Sequence, residues 1–131
     1  MAIYPTAEQL QTLLAGPPDQ PVVMLNLLRF KPQADGKAAG SRSGEAAYRE
    51  YATKMRAVVE SHGGRFIWIG VADSVVIGDG SAEFHAVGLV EYPSRQKFVE
   101  IAMSDRVREI GRDREAGLES QWLIAATQTP M

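Results

Sequence analysis

The run VVMLNLLRF (residues 22–30) decides the fold class, because its length and its apolar, partly β-branched content are typical of a buried strand. Successive side chains of a strand point to opposite faces, so Asn26 lies on one face and Arg29 on the other. Both faces are otherwise apolar. Such a strand needs cover on both sides, and its amide and guanidinium require an explanation.

The flanking segments predict the other elements of one domain that spans residues 1–131. Apolar residues three and four positions apart between residues 45 and 62 predict an amphipathic helix that ends at Gly63 and Gly64. A stretch rich in Gly, Ser, Ala and Lys, residues 31–44, predicts a long loop that could close over a site. Further predicted elements are a short helix in residues 6–15 ahead of a core of residues 21–127, strand material in residues 64–80 with a bend around 72–74 and a turn at 78–80, strands in residues 83–92 and 122–127, and helices beginning at Ser94 and Ser104.

Without the first short helix, the order of elements is strand, helix, strand, strand, helix, strand. This order predicts an α+β fold, the ferredoxin-like βαββαβ sheet with helices on one face. One layer of helices cannot cover two apolar faces, so a monomer would expose an unusually large apolar patch on the far face of the sheet. We therefore predict a homodimer in which two sheets pack face to face.

Composition narrows the range of partners. The chain has 131 residues, no cysteine and a formal net charge of −2. Without an overall positive field, nucleic acid and anionic membrane surfaces are disfavoured, and a cysteine-free chain fits a reducing compartment. No apolar stretch approaches the roughly 20 residues of a membrane span, and the amino terminus does not resemble a signal peptide. We expect a cytoplasmic protein whose partner, besides a second copy, is a small organic ligand.

No sequence motif indicates a cofactor or a metal. A glycine-rich dinucleotide or phosphate loop, a nucleophile elbow and a HExxH helix are all missing from the sequence. The two histidines, His62 and His85, lack metal-ligand spacing, and His62 lies at a helix end where a cation complements the helix dipole. We expect no cofactor and no metal site.

Five motifs along the chain resemble one known family. In order they are MLNLLRFK, AYREY, HGGRFIWIG, VEYPSRQKF and REAGLESQWLIA. Together they are similar to the uncharacterised domain of unknown function 1330 family, over about residues 22–127. That family is placed in the dimeric α+β-barrel superfamily. The resemblance therefore implies a dimeric α+β barrel and no established activity.

Polar side chains on apolar strands are the first candidates for catalytic residues. Asn26 could stabilise a carbonyl or enolate oxygen in a water-poor pocket, or it could satisfy backbone and neighbouring groups. His85 has the side-chain type suited to a general base near neutral pH, or it could be satisfied by a neighbour. We therefore take Asn26 and His85 as the candidate catalytic residues.

Four other residues are candidate ligand-binding residues. Trp68, which strand alternation puts on the same face as Phe66, could form an aromatic pocket wall with Tyr48, although such aromatic residues usually belong to the core. Arg29 could bind an anionic group at the edge of a ligand, or it could be an ordinary surface side chain. Arg114 matches the arginine of the late motif and lies in a helix of alternating charges.

Two function classes follow from these candidates. The first is a cofactor-independent enzyme that acts by proton abstraction on a small aromatic or enolisable molecule, in the manner of small monooxygenases or isomerases of the superfamily. In it, His85 takes the proton, Asn26 holds the oxyanion, and Trp68 with Tyr48 excludes water. The alternative is a non-catalytic homodimeric module that binds or sequesters a small apolar ligand. A purely structural dimer with a filled interior is a third hypothesis. We favour the first.

Overall fold

The computed structural model describes residues 2–36, 42–79 and 83–131. The predicted loop of residues 31–44 and the predicted turn at 78–80 therefore lie partly outside the described residues. The elements in chain order are α1 (Ala7–Leu14), β1 (Val22–Phe30), α2 (Gly44–Ser61), β2 (Arg65–Val71), β3 (Ala86–Tyr92), α3 (Arg95–Ala102), α4 (Asp105–Gly117) and β4 (Leu118–Ala126).

The four strands form one antiparallel sheet in the order β2-β3-β1-β4. The strand that contains Asn26 is therefore central, with β3 on one side and β4 on the other. Helix α2 connects β1 to β2, and helices α3 and α4 connect β3 to β4. This is the predicted ferredoxin-like α+β arrangement, and the prediction is confirmed.

Short hydroxyl side chains begin all four helices. Thr6, Ser43, Ser94 and Ser104 each accept a hydrogen bond from a backbone N–H in the first turn of the helix that follows. An N-cap of this type satisfies one of the donors that a helix start leaves unpaired. Three of these caps, Thr6, Ser94 and Ser104, agree with the helix starts predicted from sequence.

Strand β4 begins four residues earlier than predicted. Helix α4 leads directly into Leu118, which pairs with Phe30, so Gln121 already lies inside the strand. The predicted strand at residue 83 instead begins at Ala86. Helix α4 ends at Gly117 and β4 begins at the next residue, so no loop marks the boundary that the sequence placed too late.

The irregularity of β2 lies at Ile67 and not around residues 72–74. Phe66 pairs with Val90 and Trp68 pairs with the adjacent Leu89, so one extra residue is inserted between them. Such a β-bulge interrupts the alternation of faces. The prediction that Trp68 shares a face with Phe66 was therefore wrong, and residues 72–79 are not part of the strand.

The main core lies between the sheet and the helices. Val22 and Met24 of β1 are fully buried there against α2. Tyr51, Met55 and Val59 recur every four residues along that helix and form its buried stripe. The other buried members of this cluster are Val90, Tyr92, Ile101 and Ile110.

The far face of the sheet carries apolar rows, and no helix formed by the described residues covers it. One row crosses all four strands, since Trp68 pairs with Leu89, Leu89 with Leu25, and Leu25 with Ile124. At its two ends Trp68 is 55% exposed and Ile124 44% exposed. The next row contains Val87, Leu27 and Trp122. The sheet thus has two apolar faces, of which its own helices cover one, as the sequence predicted.

Helices α2 and α4 approach each other closely at two glycines. A Cβ atom on Gly117 would lie 2.1 Å from the carbonyl oxygen of Gly44, and one on Gly44 would lie 2.1 Å from the carbonyl oxygen of Lys31. Backbone hydrogen bonds from Lys31 to Gly117 and from Gly44 to Lys31 close this junction. The junction fixes where α4 presents its side chains to the sheet. In the part of the chain that the structure describes, no helix is long and apolar enough to cross a membrane.

Candidate functional site

A cavity of about 1240 Å³ opens on the helix-facing side of the sheet. We call it the Tyr48 cavity. Its floor is the inner face of β1 and β4, and its walls come from α2, α3, α4, α1 and the segment of residues 2–5 that precedes α1. The polar or aromatic residues that line it include Tyr4, Asn26, Tyr48, Tyr51, Tyr92, Arg95, Phe98, Arg114 and Gln121.

A chain of hydrogen bonds runs from Asn26 to Arg114 along the wall of this cavity. The amide nitrogen of Asn26 donates to the carbonyl oxygen of Met24, and its amide oxygen accepts from Gln121 Nε2 at 2.8 Å. Gln121 Oε1 in turn accepts from Arg114 Nη2 at 2.6 Å. Antiparallel pairing of β1 with β4 brings the two amides together, and α4 supplies the guanidinium. Asn26 therefore aligns Gln121, which holds Arg114.

The guanidinium of Arg114 also holds the amino-terminal segment. Its Nη2 donates to the carbonyl oxygen of Ile3, and its Cζ lies 5.1 Å from the centre of the Tyr4 ring. The Tyr4 hydroxyl donates to the carboxylate of Glu115. Both hydrogen bonds of Arg114 use the same nitrogen, so Nε and Nη1 have no hydrogen-bond partner among the residues that the structure describes.

Three tyrosine side chains from two elements meet in the cavity. Tyr48 and Tyr51 stand one turn apart on α2 with ring centres 5.3 Å apart, and Tyr92 comes from the end of β3. Tyr51 is only 8% exposed and Tyr92 only 5%. Within residues 2–36, 42–79 and 83–131, none of the three hydroxyls has a hydrogen-bond partner, and none is sealed off inside protein. Each hydroxyl is thus available to a molecule in the cavity.

The environment of these tyrosines keeps them protonated. Burial raises the pKa of Tyr48, and the neighbouring Tyr51 raises it further, while the Arg114 cation opposes the shift. Burial likewise raises the pKa of Tyr51 and of Tyr92, and Arg114 again opposes it at Tyr51. Neutral phenols can donate as well as accept hydrogen bonds. The cavity therefore presents neutral hydroxyl donors beside the Arg114 cation.

A second guanidinium lies at the opposite end of the cavity. Arg95 donates from Nη1 to the carbonyl oxygen of Leu13 and from Nη2 to Thr127 Oγ1. Its Nε is buried without a hydrogen-bond partner in the described part of the chain. Because Thr127 follows β4 at the end far from Gln121, the cavity runs along this edge strand between two arginines.

His85 lies outside the cavity and has a structural partner. Its Nδ1 accepts a hydrogen bond from the backbone N–H of Phe30 at 3.0 Å, and its ring stacks on the Phe30 ring with centres 5.8 Å apart. Its own backbone N–H donates to the carbonyl oxygen of Leu28. An accepting Nδ1 leaves the ring proton on Nε2, so neither nitrogen is free to take a proton in this arrangement. The geometry does not support His85 as a base acting with Asn26.

Trp68 and Arg29 also lie away from the cavity. Trp68 pairs with Leu89, and its ring covers Gly70 on the far face of the sheet. Arg29 points to the same far face and forms an ion pair with Glu119, Nε to Oε2 at 2.9 Å. The expected aromatic wall of Trp68 with Tyr48 was therefore wrong, since the bulge at Ile67 separates the two by the thickness of the sheet. Of the predicted site residues, Asn26, Tyr48 and Arg114 line one cavity.

The polar cavity residues that sequence analysis missed include Tyr92, Arg95 and Gln121. Gln121 was missed because β4 was predicted to begin at Trp122, which left Gln121 outside any strand. Tyr92 and Arg95 flank Pro93 at the strand-to-helix corner, and this corner was taken only as an element boundary. In residues 2–36, 42–79 and 83–131, no three histidine or carboxylate side chains are grouped so that they could hold a metal ion.

Comparisons with known proteins agree with the fold. The sequence model of the family described as "Domain of unknown function (DUF1330)" matches residues 42–127. A crystal structure of a protein of unknown function from Rhodopseudomonas palustris is 31% identical to the chain, with a TM-score of 0.87 and 98% of each chain covered. No curated protein matches the sequence.

More distant structures share the fold alone. A dabb family protein with a ferredoxin-like fold from Mesorhizobium loti is 12% identical, with a TM-score of 0.55 over 84% of this chain and 98% of its own. Hydroxynitrile lyase from Passiflora edulis is 11% identical, with a TM-score of 0.61 over 87% of this chain and 98% of its own. A dimeric protein of unknown function with a ferredoxin-like fold from Bacteroides fragilis is 10% identical, with a TM-score of 0.50 over 82% and 96%.

Proposed function

The chain belongs to the DUF1330 family, whose description assigns no activity, and we propose that it binds a small organic molecule in the Tyr48 cavity. The ligand would place an oxygen atom against the tyrosine hydroxyls and an apolar body against the side chains between them. The observation that carries this proposal is that three tyrosine side chains line one cavity and that their hydroxyls have no hydrogen-bond partner among the described residues.

Hydroxyls that line a cavity without a protein partner need a partner inside the cavity, either water or a ligand. Most buried polar atoms find a partner in the protein or in ordered water, since an unsatisfied group costs about 1–3 kcal/mol. The cavity, at about 1240 Å³, is also large enough for a drug-sized molecule. Apolar side chains such as Leu13, Met24, Met55 and Val107 make up much of its wall. A mostly apolar wall with a few convergent polar groups is typical of a small-molecule site.

The geometry supports binding better than catalysis by proton abstraction. The expected base, His85, already accepts from Phe30, and the carboxylates at the cavity are Glu8 and Glu115. Glu115 is exposed and accepts from Tyr4. Neutral tyrosines and a guanidinium can polarise a ligand oxygen but cannot remove a C–H proton. We therefore favour the binding module over the enzyme, with Asn26 as a positioning residue that acts through Gln121.

One position offers a direct test of binding in the cavity. Gly111 of α4 lines the cavity, and a Cβ added there would meet nothing within 4 Å. A Gly111→Phe variant should therefore fold and fill the cavity, whereas Gly111→Ala should fold and leave it open. Saturation-transfer NMR against a fragment library is expected to find ligands that bind both the unaltered protein and Gly111→Ala, and Gly111→Phe should weaken them at least about tenfold. The proposal would be overturned if no fragment both binds the unaltered protein and binds Gly111→Phe more weakly.

We also propose that the molecule is a homodimer whose sheets pack through the far face. The apolar rows that contain Leu25 and Leu27 support this assembly, because these two residues are only half-buried and Trp68, Trp122 and Ile124 in the same rows are exposed. Residues of this kind rarely remain exposed over a large patch of a monomer. The structure from Bacteroides fragilis that shares the fold is described as dimeric. The cysteine-free composition favours a cytoplasmic location, which we include in the proposal together with a single domain.

A further inference from the structure

We propose that the ligand of the Tyr48 cavity is a small monocarboxylate with an apolar or aromatic body, whose carboxylate binds Arg114 beside Tyr48 and Tyr51. This inference rests on the binding function proposed above and adds a ligand class to it. It assigns the charged end of the ligand to the α4 side of the cavity and the apolar body to the space between β1, α2 and α3.

The hydrogen bonds of Arg114 leave part of its guanidinium unused. Nη2 is occupied by the Ile3 carbonyl oxygen and by Gln121 Oε1, both of which are neutral acceptors. Nε and Nη1 have no partner in residues 2–36, 42–79 and 83–131, and neither is buried out of reach of a ligand. A guanidinium forms its strongest hydrogen bonds with an anionic oxygen, and a carboxylate is the common organic group that supplies one.

The neighbouring tyrosines suit the same anion. Arg114, Tyr48 and Tyr51 line the same cavity, and Gly117, one turn after Arg114, lies against the backbone of Tyr48. Buried neutral phenols donate hydrogen bonds, and a carboxylate is a pure acceptor with two oxygens. A carboxylate bound there would satisfy donors that otherwise have no partner. A ligand that offers only N–H donors would leave the guanidinium unpaired.

The charges that line the cavity also favour an anion. Three arginines, Arg95, Arg108 and Arg114, line it against two glutamates, Glu8 and Glu115. The cavity is therefore positive by one formal charge, although the whole chain carries a net charge of −2. Local fields of this kind raise the concentration of an oppositely charged ligand at a site.

The rest of the cavity accepts an apolar body and not a second anion. Tyr92 and Phe98 meet edge to face with ring centres 4.9 Å apart, and both line the wall beyond Tyr51. Met24 and Met55 add apolar side chains to the same lining. At the far end, two nitrogens of Arg95 are already bound by Leu13 and Thr127. One carboxylate and an apolar or aromatic remainder therefore match the two ends of the cavity.

The test compares acids with their uncharged amides. We would measure, by titration calorimetry at low salt, the affinities of phenylacetate against phenylacetamide and of hexanoate against hexanamide. The unaltered protein should bind each acid at least about tenfold more tightly than its amide. Arg114→Gln should remove this preference. Arg112→Gln, which makes the same change at an exposed position of α4 outside the cavity lining, should keep it.

The Arg114 side chain also holds Ile3, so Arg114→Gln could act through the structure and not through the ligand. A second variant controls for this effect. Tyr48→Phe keeps the guanidinium and deletes a hydroxyl that has no hydrogen-bond partner among the described residues, and it should weaken the binding of the acids more than that of the amides. Amides that bind as tightly as the acids would overturn the carboxylate and leave the binding function intact. If Arg114→Gln still prefers the acids over the amides, the carboxylate does not bind Arg114 and the proposed site would be overturned. If the NMR screen finds no fragment that binds the unaltered protein and is weakened by Gly111→Phe, the binding function itself would be overturned.

Discussion

Asn26 and Arg29, the two polar residues of the central strand, have separate roles on opposite faces of the sheet. Asn26 faces the helices, where it accepts from Gln121 and so supports the position of Arg114. Arg29 faces the other way and pairs with Glu119, and both partners are more than a third exposed. An exposed pair of this kind contributes about 0–1 kcal/mol. At the residue scale, the amide belongs to the cavity and the guanidinium to the far face.

The three buried tyrosines predict a loss of stability at high pH. Burial raises their pKa values in the folded state, so the unfolded chain releases its phenolic protons first, near pH 10. The stabilisation is fully present below that pH and is lost as the pH rises toward the folded pKa values. Each tyrosine contributes a slope of up to about 1.4 kcal/mol per pH unit to the decline in the free energy of unfolding.

Urea unfolding at pH 8 and pH 10.5 measures this slope. Tyr48→Phe removes one of the three protons, and its free energy of unfolding should therefore fall less over this pH range than that of the unaltered protein. Equal declines in the two proteins would contradict the assignment of Tyr48 as a buried neutral phenol.

At the element scale, contact between the backbones of α2 and α4 positions the cavity wall. Gly44 and Gly117 allow the two helices to approach without intervening side chains, and Lys31 joins both by backbone hydrogen bonds. Arg114 lies one turn before Gly117, and Tyr48 lies one turn after Gly44. The glycine junction therefore brings the guanidinium and the phenol to the same end of the cavity.

Gly117→Ala is expected to destabilise the protein by about 1–3 kcal/mol, because the new Cβ would have to displace backbone and not a flexible side chain. It should also weaken ligand binding, since any shift of α4 moves Arg114. Gly111→Ala on the same helix is the matched control, with nothing within 4 Å of the added Cβ. That control should be neutral or stabilise by about 0.5–1 kcal/mol, as expected for alanine in a helix interior. Thermal unfolding of both variants provides the measurement, and equal losses would contradict the role of the junction.

At the scale of the whole molecule, the far face of the sheet is the surface through which we propose that two chains pack. Its central row joins Trp68, Leu89, Leu25 and Ile124 across all four strands. The cavity lies on the opposite face, so two chains can pack sheet to sheet while both cavities stay open between sheet and helices. The proposed assembly and the proposed ligand binding should therefore be separable by substitution.

Light scattering at about 10 µM should give a mass near twice the 14.3 kDa of the chain. Interfaces of standard size have dissociation constants well below this concentration. Leu25→Glu places an unpaired carboxylate in the centre of the far face, and it should weaken association at least about 100-fold. Ala57→Glu makes the same charge change on the exposed side of α2 and should leave the mass unchanged. A monomer in the unaltered protein would contradict the homodimer.

Local sequence patterns determined most of the fold of this protein. Alternating and helical apolar periods, helix N-caps such as Thr6 and Ser104, and the order of elements predicted the ferredoxin-like sheet, because each of these features acts within a few residues along the chain. The site depended on contacts between distant residues. The bulge at Ile67 moved Trp68 to the other face, and the backbone of Phe30 engaged His85. Tertiary structure alone brought Asn26, Gln121 and Arg114 together, because strand pairing and helix packing join positions that no local period relates.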